Sequence, residues 1–284
     1  PDSEQLRVLG SSASLENKEE GESFISQFFG FDAAAGRLKL WQVLCTRMDH
    51  FDRPYWREKG IPIANCPGTT SAIGLADLAM MFILMLARMS PMAPRALLEQ
   101  LYNEPFGRDL DGLKLGIVGL GASGKLLARR ATSFGLQVSV IDVREIEPKE
   151  INEFHLQQVG KPSDLDTMIA NVDFLSLHVH LTAEPRHLIA RRRLDLMKPP
   201  SCLINVARGE LVDEAALTEA LVAQRLGGAG LDVFAQEPVD LNSPLFDLEN
   251  VVATYHCAGA TTGTSQRRAA IASENVDRVA QGLE

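Results

Sequence analysis

Cysteine is scarce in this chain, and its scarcity excludes two common ways of stabilising a small protein. The 284 residues include four cysteines, and no two have the C-x-x-C spacing; they are Cys45, Cys66, Cys202 and Cys257. Disulfide frameworks and zinc sites need cysteines at closer and more regular spacing. We therefore expect neither a disulfide framework nor a metal site, and we expect a reducing compartment such as the cytoplasm.

Positive charge and long apolar runs are also in short supply. The net charge is −9, which argues against a nucleic-acid or anionic-membrane surface because both require a basic face. The one basic run, Arg191 to Arg193, is interpreted as the solvated face of a helix. The longest apolar stretch, Leu75 to Met89, is interrupted by Asp77 and Arg88, and we predict that it does not span a bilayer.

The composition is that of a folded globular protein. Hydrophobic residues make up 45% of the chain and charged residues 23%, and the length allows two domains. No signal peptide is visible. The chain does not begin with Met, and we expect the native terminal segments to be missing.

A glycine-rich stretch organises the second half of the chain. An apolar run, Leu113 to Val118, leads into Gly119-Leu120-Gly121-Ala122-Ser123-Gly124, which has the pattern G-x-G-x-x-G. Helical spacing follows over Lys125–Phe134, and a second apolar run, Val138–Ile141, ends at Asp142. The order predicts a strand, a tight turn, a helix, a second strand and an acid.

Dinucleotide binding requires this layout. Gly119 would allow the sharp turn, Gly121 would admit a diphosphate to bare backbone, and Gly124 would let the helix pack closely. The helix N-terminus favours anions. Asp142 lies close to the spacing expected for a carboxylate on the adenosine ribose, and it favours NAD over NADP. The alternative is a glycine-rich turn that binds no nucleotide.

From residue 113 onward, predicted strands and helices alternate, which is typical of a doubly wound parallel sheet. We expect an α/β protein in which residues 89–260 form a Rossmann-type nucleotide domain and residues 1–88 with 261–284 form a smaller substrate domain. Further predicted strands are Val172–His178, Cys202–Val206, Gly227–Val233 and Asn250–Thr254, and predicted helices are Ser71–Arg88, Leu188–Met197, Asp213–Gln224 (with Asp213 as N-cap) and Thr262–Gly282.

Three chemically capable residues follow strands of this predicted sheet. Arg208, Glu237 and His256 come after the fourth, fifth and sixth strands of the series, and parallel sheets bind ligands beyond their carboxyl ends. The arginine could hold a carboxylate, and the histidine, oriented by the glutamate, could exchange a proton with a carbonyl oxygen. Taken singly, each is more often a salt-bridge, loop or structural residue. Together they predict hydride transfer to a 2-keto acid.

The sequence resembles the D-isomer-specific 2-hydroxyacid dehydrogenases from about residue 38 to the end. The resemblance is carried by the glycine motif and by six further segments: Asp173–Thr182, Leu196–Pro199, Leu203–Gly209, Gly230–Phe234, Glu237-Pro238 and His256–Thr261. It implies that Arg208, Glu237 and His256 are the catalytic residues. It also implies a flavodoxin-like substrate domain, a homodimer built on the nucleotide domain, and cofactor contacts at Ala122, Ser123, Asp142, His178, Val206, Ala207, Arg208, Asp232, His256 and Gly259.

Several positions depart from the family pattern. The substrate loop usually carries small residues where this chain has Cys45-Thr46-Arg47, and Arg47 could favour a dicarboxylate or phosphorylated acid, or simply face solvent. Tyr255 and His180 replace two usual prolines. Arg144 is the one feature near Asp142 that could favour NADP.

The resemblance leaves alternatives open. Some relatives are corepressors, so the chain could be an NAD(H)-sensing binding module with little turnover. A formate- or phosphite-type dehydrogenase of the same fold is a further alternative, although no match to those enzymes is clear around Cys45 to Asp49. The sequence does not indicate which acid is the substrate.

Overall fold

The computed structural model describes residues 38–46, 48, 53–179 and 187–283, which divide into two compact units. The first unit takes the described residues up to Thr70 and those from Thr261 onward. The second unit runs from Ser71 to Ala260. Arg47 of the predicted substrate loop and His180 lie outside the described residues.

The described residues form nine strands and nine α-helices. The strands are β1 (Trp41–Gln42), β2 (Ile63–Ala64), β3 (Lys114–Val118), β4 (Gln137–Ile141), β5 (Gln158–Gly160), β6 (Phe174–Leu177), β7 (Cys202–Asn205), β8 (Gly228–Leu231) and β9 (Val251–Ala253). The helices are α1 (Arg53–Glu58), α2 (Ala72–Ala87), α3 (Ala93–Leu98), α4 (Ala122–Ser133), α5 (Pro148–Glu153), α6 (Leu165–Ile169), α7 (Arg191–Leu194), α8 (Glu214–Val222) and α9 (Thr262–Ala280). Short 3₁₀ turns occupy Gly68–Thr70, Ser90–Met92, Pro162–Asp164, Gly209–Leu211 and Pro244–Asp247.

The second unit is built on a seven-stranded sheet in the order β5-β4-β3-β6-β7-β8-β9. All neighbouring strands pair in parallel. The strand order reverses between β3 and β6, where the chain switches from one side of the sheet to the other. This is the doubly wound arrangement that the sequence predicts, with its ligand crevice expected at the switch point.

Alternating side chains of each strand serve two cores, one on each face of the sheet. In β7, Cys202 and Ile204 join the core beneath α2 and α4, while Leu203 joins the core beneath α8. A parallel strand covered on both faces is therefore apolar at nearly every position, because successive side chains point to opposite faces. This explains the continuous apolar runs in the sequence.

Helix α2 belongs to the second unit, which corrects the predicted domain boundary at residue 88. The helix packs on α4 and on strands β7 and β8. A side chain at Gly230 of β8 would lie 2.6 Å from the Phe82 Cβ, so the bare glycine makes room for the helix on the sheet. The boundary lies between Thr70 and Ser71, because the apolar surface of α2 is buried by the sheet.

One further predicted element needs correction, and one strand was not predicted. Of the predicted helix Leu188–Met197, the structure has α7 alone, because the Ile189 N–H donates to the Leu211 carbonyl and Ile189 pairs with Val212 as a β-bridge. Sequence analysis also missed β5, which is three residues long and lies at the edge of the sheet. By contrast, Asp213 caps α8 as predicted, accepting from the Ala216 N–H at 3.0 Å.

In the first unit, β1 and β2 form a two-stranded parallel sheet. Trp41 of β1 is buried against Trp56, with ring centroids 5.0 Å apart. The C-terminal helix α9 is tied to this sheet by Asn275, whose Nδ2 donates to the Gln42 Oε1 at 2.8 Å. The end of the chain thus returns to the unit in which the described residues begin.

No single helix within the described ranges is long and apolar enough to cross a membrane; α2 meets the length and composition test only jointly with the bent segment Ser90–Leu98 that follows it. The described residues also contain no group of His, Cys, Asp and Glu side chains that could hold a metal ion.

The buried carboxylate of Asp173, directly before β6, stabilises the edge of the sheet at which the strands begin. This edge lies opposite the carboxyl ends of the strands. Asp173 accepts hydrogen bonds from the Lys114 N–H at 2.8 Å, Arg108 at 2.9 Å and Lys198 at 3.0 Å. Burial alone would raise the pKa of Asp173, but these donors outweigh it and hold the pKa below its usual value.

We predict that Asp173→Asn lowers the free energy of unfolding by about 2–3 kcal/mol, because three donors lose a charged acceptor. Since the folded-state pKa lies below the unfolded value of about 3.9, the difference from wild type should be complete above about pH 4 and shrink as pH falls further. Urea denaturation of both proteins at several pH values measures this difference in the free energy of unfolding. Asp195→Asn, which removes a half-exposed partner of Arg225, should cost less than about 0.5 kcal/mol; equal losses would contradict the prediction.

Candidate active site

The three predicted reacting residues follow three neighbouring strands of the sheet. Arg208 comes after β7, Glu237 after β8 and His256 after β9. Because the three strands are parallel neighbours, their carboxyl ends lie at one edge, and the loops that leave them meet there.

Glu237 and His256 form a hydrogen-bonded pair. The His256 Nδ1 lies 2.7 Å from the Glu237 Oε2, and the other carboxylate oxygen accepts from the Phe234 N–H at 3.1 Å. The carboxylate is therefore fixed by its own loop while it orients the imidazole. Nε2 is the ring nitrogen left to face a reactant.

The electrostatic surroundings favour the protonated imidazole. The hydrogen bond that His256 donates to Glu237 raises the pKa of His256 above its ordinary value, and the negative charges of Glu237 and Asp232 act in the same direction. Burial and the nearby Arg208 guanidinium oppose this shift without cancelling it. A raised pKa increases the share of His256 rings that carry a proton at a given pH, which suits a general acid.

Asp232, which is fully buried, holds the loop that carries His256. Its carboxylate accepts from the Thr254 Oγ1 at 2.6 Å, the Cys257 N–H at 2.8 Å and the Ala258 N–H at 3.0 Å. His256 itself has a left-handed backbone, with φ of 59°. The family resemblance implies a cofactor contact for Asp232, and this clamp adds a positioning role that no local sequence pattern predicts.

A second clamp, at Asn205, orders the segment before Arg208. The Asn205 Nδ2 donates to the Arg208 carbonyl at 2.8 Å, and its Oδ1 accepts from the Ala207 N–H at 3.1 Å. Val206 and Ala207, both predicted cofactor contacts, are buried in this segment. Asn205 was not singled out from the sequence, although a lone amide at the end of an apolar strand is the signal that could have found it.

The glycine turn has the geometry that a diphosphate requires. Gly119 has φ of 97°, and a Cβ on Gly124 would lie 2.1 Å from the Gly119 carbonyl oxygen, so both positions need glycine for the turn and its packing. A Cβ on Gly121 would meet no protein atom within 4 Å. Space is thus left beside the Gly121 backbone, at the start of α4 near the exposed Ala122, which fits a dinucleotide.

Asp142 lies beside this turn, as predicted. Its Oδ2 accepts from the Leu120 N–H at 2.7 Å, and its Oδ1 accepts from the Arg144 N–H at 2.9 Å. The carboxylate is thereby fixed at the end of β4, next to the motif, where the Rossmann arrangement brings the adenosine ribose.

His178 connects the turn to β6. Its Nδ1 lies 3.0 Å from the Ser123 Oγ, and its Nε2 lies 3.0 Å from the Ser176 Oγ. Burial lowers the pKa of His178 to about 4, so the ring is neutral at pH 7 and acts as one donor and one acceptor. The neutral His178 imidazole adds no charge on this side of the motif, which suits a cofactor that already carries a charged diphosphate.

The remaining predicted site residues lie elsewhere. Gly259 follows the His256 loop within the second unit. Cys45 and Thr46 belong to the first unit, where their carbonyls accept from the Cys66 N–H at 3.1 Å and from the Asn65 Nδ2 at 2.8 Å. Their role toward a substrate stays a prediction.

Comparison with known proteins finds a match over the nucleotide domain. Residues 80–258 match the family model of the D-isomer specific 2-hydroxyacid dehydrogenase, NAD binding domain. The chain is 38% identical over 248 residues to a glyoxylate/hydroxypyruvate reductase B from Pectobacterium carotovorum, covering 85% of this chain and 76% of that protein.

Solved structures share the fold. A D-lactate dehydrogenase from Aquifex aeolicus, complexed with NAD and lactic acid, superposes with a TM-score of 0.78 at 28% identity, covering 96% of this chain and 82% of that one. An acyclic imino acid reductase in complex with NADPH and D-Arg has a TM-score of 0.77 at 25% identity, covering 93% and 87%. Because the family model matches more than half of this chain, the chain belongs to the D-isomer-specific 2-hydroxyacid dehydrogenases, a family of NAD-dependent oxidoreductases.

Proposed function

We propose that this protein interconverts a 2-keto acid and a D-2-hydroxy acid, with the Glu237–His256 pair as its acid/base. The observation that carries the proposal is the 2.7 Å contact between the two side chains at the strand ends, on the sheet that also carries the glycine turn. Few structural roles need a histidine whose pKa a carboxylate raises and whose left-handed backbone a clamp holds.

Each residue has a defined task in keto-acid reduction. When bound, NADH would supply a hydride to the carbonyl carbon and become NAD⁺. The Arg208 guanidinium holds the substrate carboxylate and polarises the carbonyl oxygen by its planar donors. His256 gives its Nε2 proton to that oxygen as the hydroxyl forms, and Glu237 stabilises the imidazolium beforehand. In the oxidative direction the same ring takes the proton back.

The substrate class follows from the arginine and from the relatives. One positively charged fork suits a single carboxylate beside a carbonyl, which a 2-keto acid provides. The Pectobacterium relative is named for glyoxylate and hydroxypyruvate, and we propose small acids of this kind as the first to test. Cys45, Thr46 and Arg47 are proposed to contact the substrate, and a preference for a dicarboxylate would support Arg47 in that role.

We further propose a homodimer. Exposed apolar side chains cluster within ten residues at and after α3, where a monomer would leave them in water; they are Leu97, Leu98, Leu101, Tyr102 and Phe106. Patches of this kind mark protein–protein surfaces. A second copy of the nucleotide domain is the partner that the family resemblance implies.

His256→Ala should reduce keto-acid turnover by roughly 10²–10⁴-fold, the usual contribution of a placed acid, while NADH binding persists. Turnover is measured by the loss of NADH absorbance, with glyoxylate, hydroxypyruvate, phenylpyruvate, oxaloacetate and 2-ketoglutarate as substrates. Wild-type turnover that survives the substitution would contradict the assignment. No wild-type turnover with any acid, despite tight NADH binding, would favour the cofactor-sensing module.

Glu237→Gln should move the alkaline limb of the reduction profile to lower pH. Reduction needs protonated His256, so activity is present below its folded pKa and is lost as pH rises through it. Glu237 is the main cause that raises this pKa, and its removal lowers the pH of that loss. The test is kcat/KM against pH; an unmoved limb would contradict the pairing.

Leu98→Glu should convert the protein from dimer to monomer, because a charge in place of one of these exposed apolar side chains is costly to bury in an interface. Light scattering coupled to size exclusion measures the mass. Leu241→Glu is the matched control, since Leu241 is similarly exposed at 80% against 86% but lies outside the patch. A monomeric wild type, or an unchanged mass for the Leu98 variant, would rule out this interface.

A further inference from the structure

A compact group of charges surrounds Asp142 and is built around Glu150. The Glu150 carboxylate accepts from the Arg144 Nη1 at 2.7 Å and Nη2 at 3.1 Å, and the Lys125 Nζ lies 2.6 Å from its Oε1. Arg144 follows β4, Lys125 lies in α4, and Glu150 lies in α5. One acid thus draws together two cations from different elements beside the glycine turn.

The donors of Arg144 are taken up by its own chain. Besides Glu150, Nη2 donates to the Leu120 carbonyl at 2.9 Å, Nη1 reaches the Glu145 carbonyl at 3.4 Å, and Nε lies 3.9 Å from the Asp142 Oδ2. A guanidinium has five N–H donors. The four on Nη1 and Nη2 are directed to oxygens of the protein within hydrogen-bond distance, while Nε lies at ion-pair distance from Asp142. The bidentate contact requires both Glu150 oxygens.

Glu150 keeps its charge under all ordinary conditions. The hydrogen bonds from Arg144, followed by that from Lys125, lower the pKa of Glu150 to about 2. The group of Lys125, Arg144, Asp142 and Glu150 therefore carries no net charge at neutral pH. The neighbouring Lys161 is directed to the Val143 and Arg144 carbonyls.

NADP differs from NAD by a 2′-phosphate on the adenosine ribose, the group that Asp142 is positioned to meet. An arginine beside this aspartate is the usual partner of that phosphate. We propose that Glu150 determines the cofactor preference of this protein, by holding Arg144 and Lys125 in an internal ion-pair group so that neither is free to bind a 2′-phosphate. This rests on the proposed use of a nicotinamide dinucleotide and adds a residue that is distant from the motif in sequence.

Glu150→Gln is the informative substitution. Gln at this position keeps the capping box at the start of α5, in which the Glu147 N–H donates to the side chain of residue 150 at 3.3 Å. The change removes one negative charge and releases the two cations. We expect the Kd ratio of NADPH to NADH to fall about 10-fold through tighter NADPH binding, a shift that weakens as salt is added.

The measurement is a fluorescence titration of the full chain with NADH and with NADPH, which does not depend on turnover. Glu153→Gln is the matched control, because Glu153 lies on the same helix and pairs with Arg129 but not with the group around Asp142. Its Kd ratio should equal that of wild type. An unchanged ratio for Glu150→Gln, or an equal fall for Glu153→Gln, would overturn the proposal.

Arg144→Gln supplies a second, independent test. If Glu150 already occupies Arg144, the substitution leaves the wild-type Kd ratio unchanged. Combined with Glu150→Gln, it reduces the gain to the part that Lys125 supplies. A selective loss of NADPH affinity in the single variant would show that Arg144 already serves the phosphate, and would overturn the proposal. Tight NADH binding without turnover would defeat the proposed activity while leaving this comparison decisive; binding of neither nucleotide would defeat both.

Discussion

The site depends on one constraint: every strand of the large sheet runs in the same direction. Three loops with unrelated sequences deliver an arginine, a glutamate and a histidine to a common edge because β7, β8 and β9 are parallel neighbours. The same constraint puts the glycine turn, which follows β3, at that edge. The opposite edge, where the strands begin, has a structural role that includes the hydrogen bonds to Asp173.

Two buried polar side chains fix the positions of the loops that meet at this edge. Asn205 fixes the segment before Arg208, and Asp232 fixes the loop around His256. Both satisfy backbone groups that would otherwise be buried without partners, a cost of about 1–3 kcal/mol each. Side chains that exchange protons over hydrogen-bond distances need supports of this kind, since small displacements weaken catalysis strongly.

Much of the fold could be predicted because its signals are local. The glycine motif, the apolar runs of the central strands and the Asp213 cap each follow from the chemistry of a few consecutive residues. The short edge strand β5 lacks such a run, and α7 was predicted too long because the pairing of Ile189 with Val212 is not visible in either segment. The domain boundary failed for the same reason, since Gly230 and Phe82 are distant in sequence.

The candidate site, too, could be predicted from the sequence only in part. Residue types after strand ends were enough to nominate Arg208, Glu237 and His256, and the family resemblance supported the choice. The clamp by Asp232 could not be read from the sequence, because its partners come from the loop after a different strand. Contacts of that kind depend on how loops fold back across the sheet edge, which hydrophobic periodicity does not encode.

The position of Glu150 has a consequence for how such a protein could change over evolutionary time. The carboxylate lies on a short surface helix, where it also helps to cap the N-terminus, and a glutamine would fill the same cap. Glutamate and glutamine codons differ by one base. On the proposal made here, a lineage could therefore move between the two nicotinamide nucleotide pools of the cell by a single point mutation, leaving the glycine turn, the sheet and the reacting residues untouched.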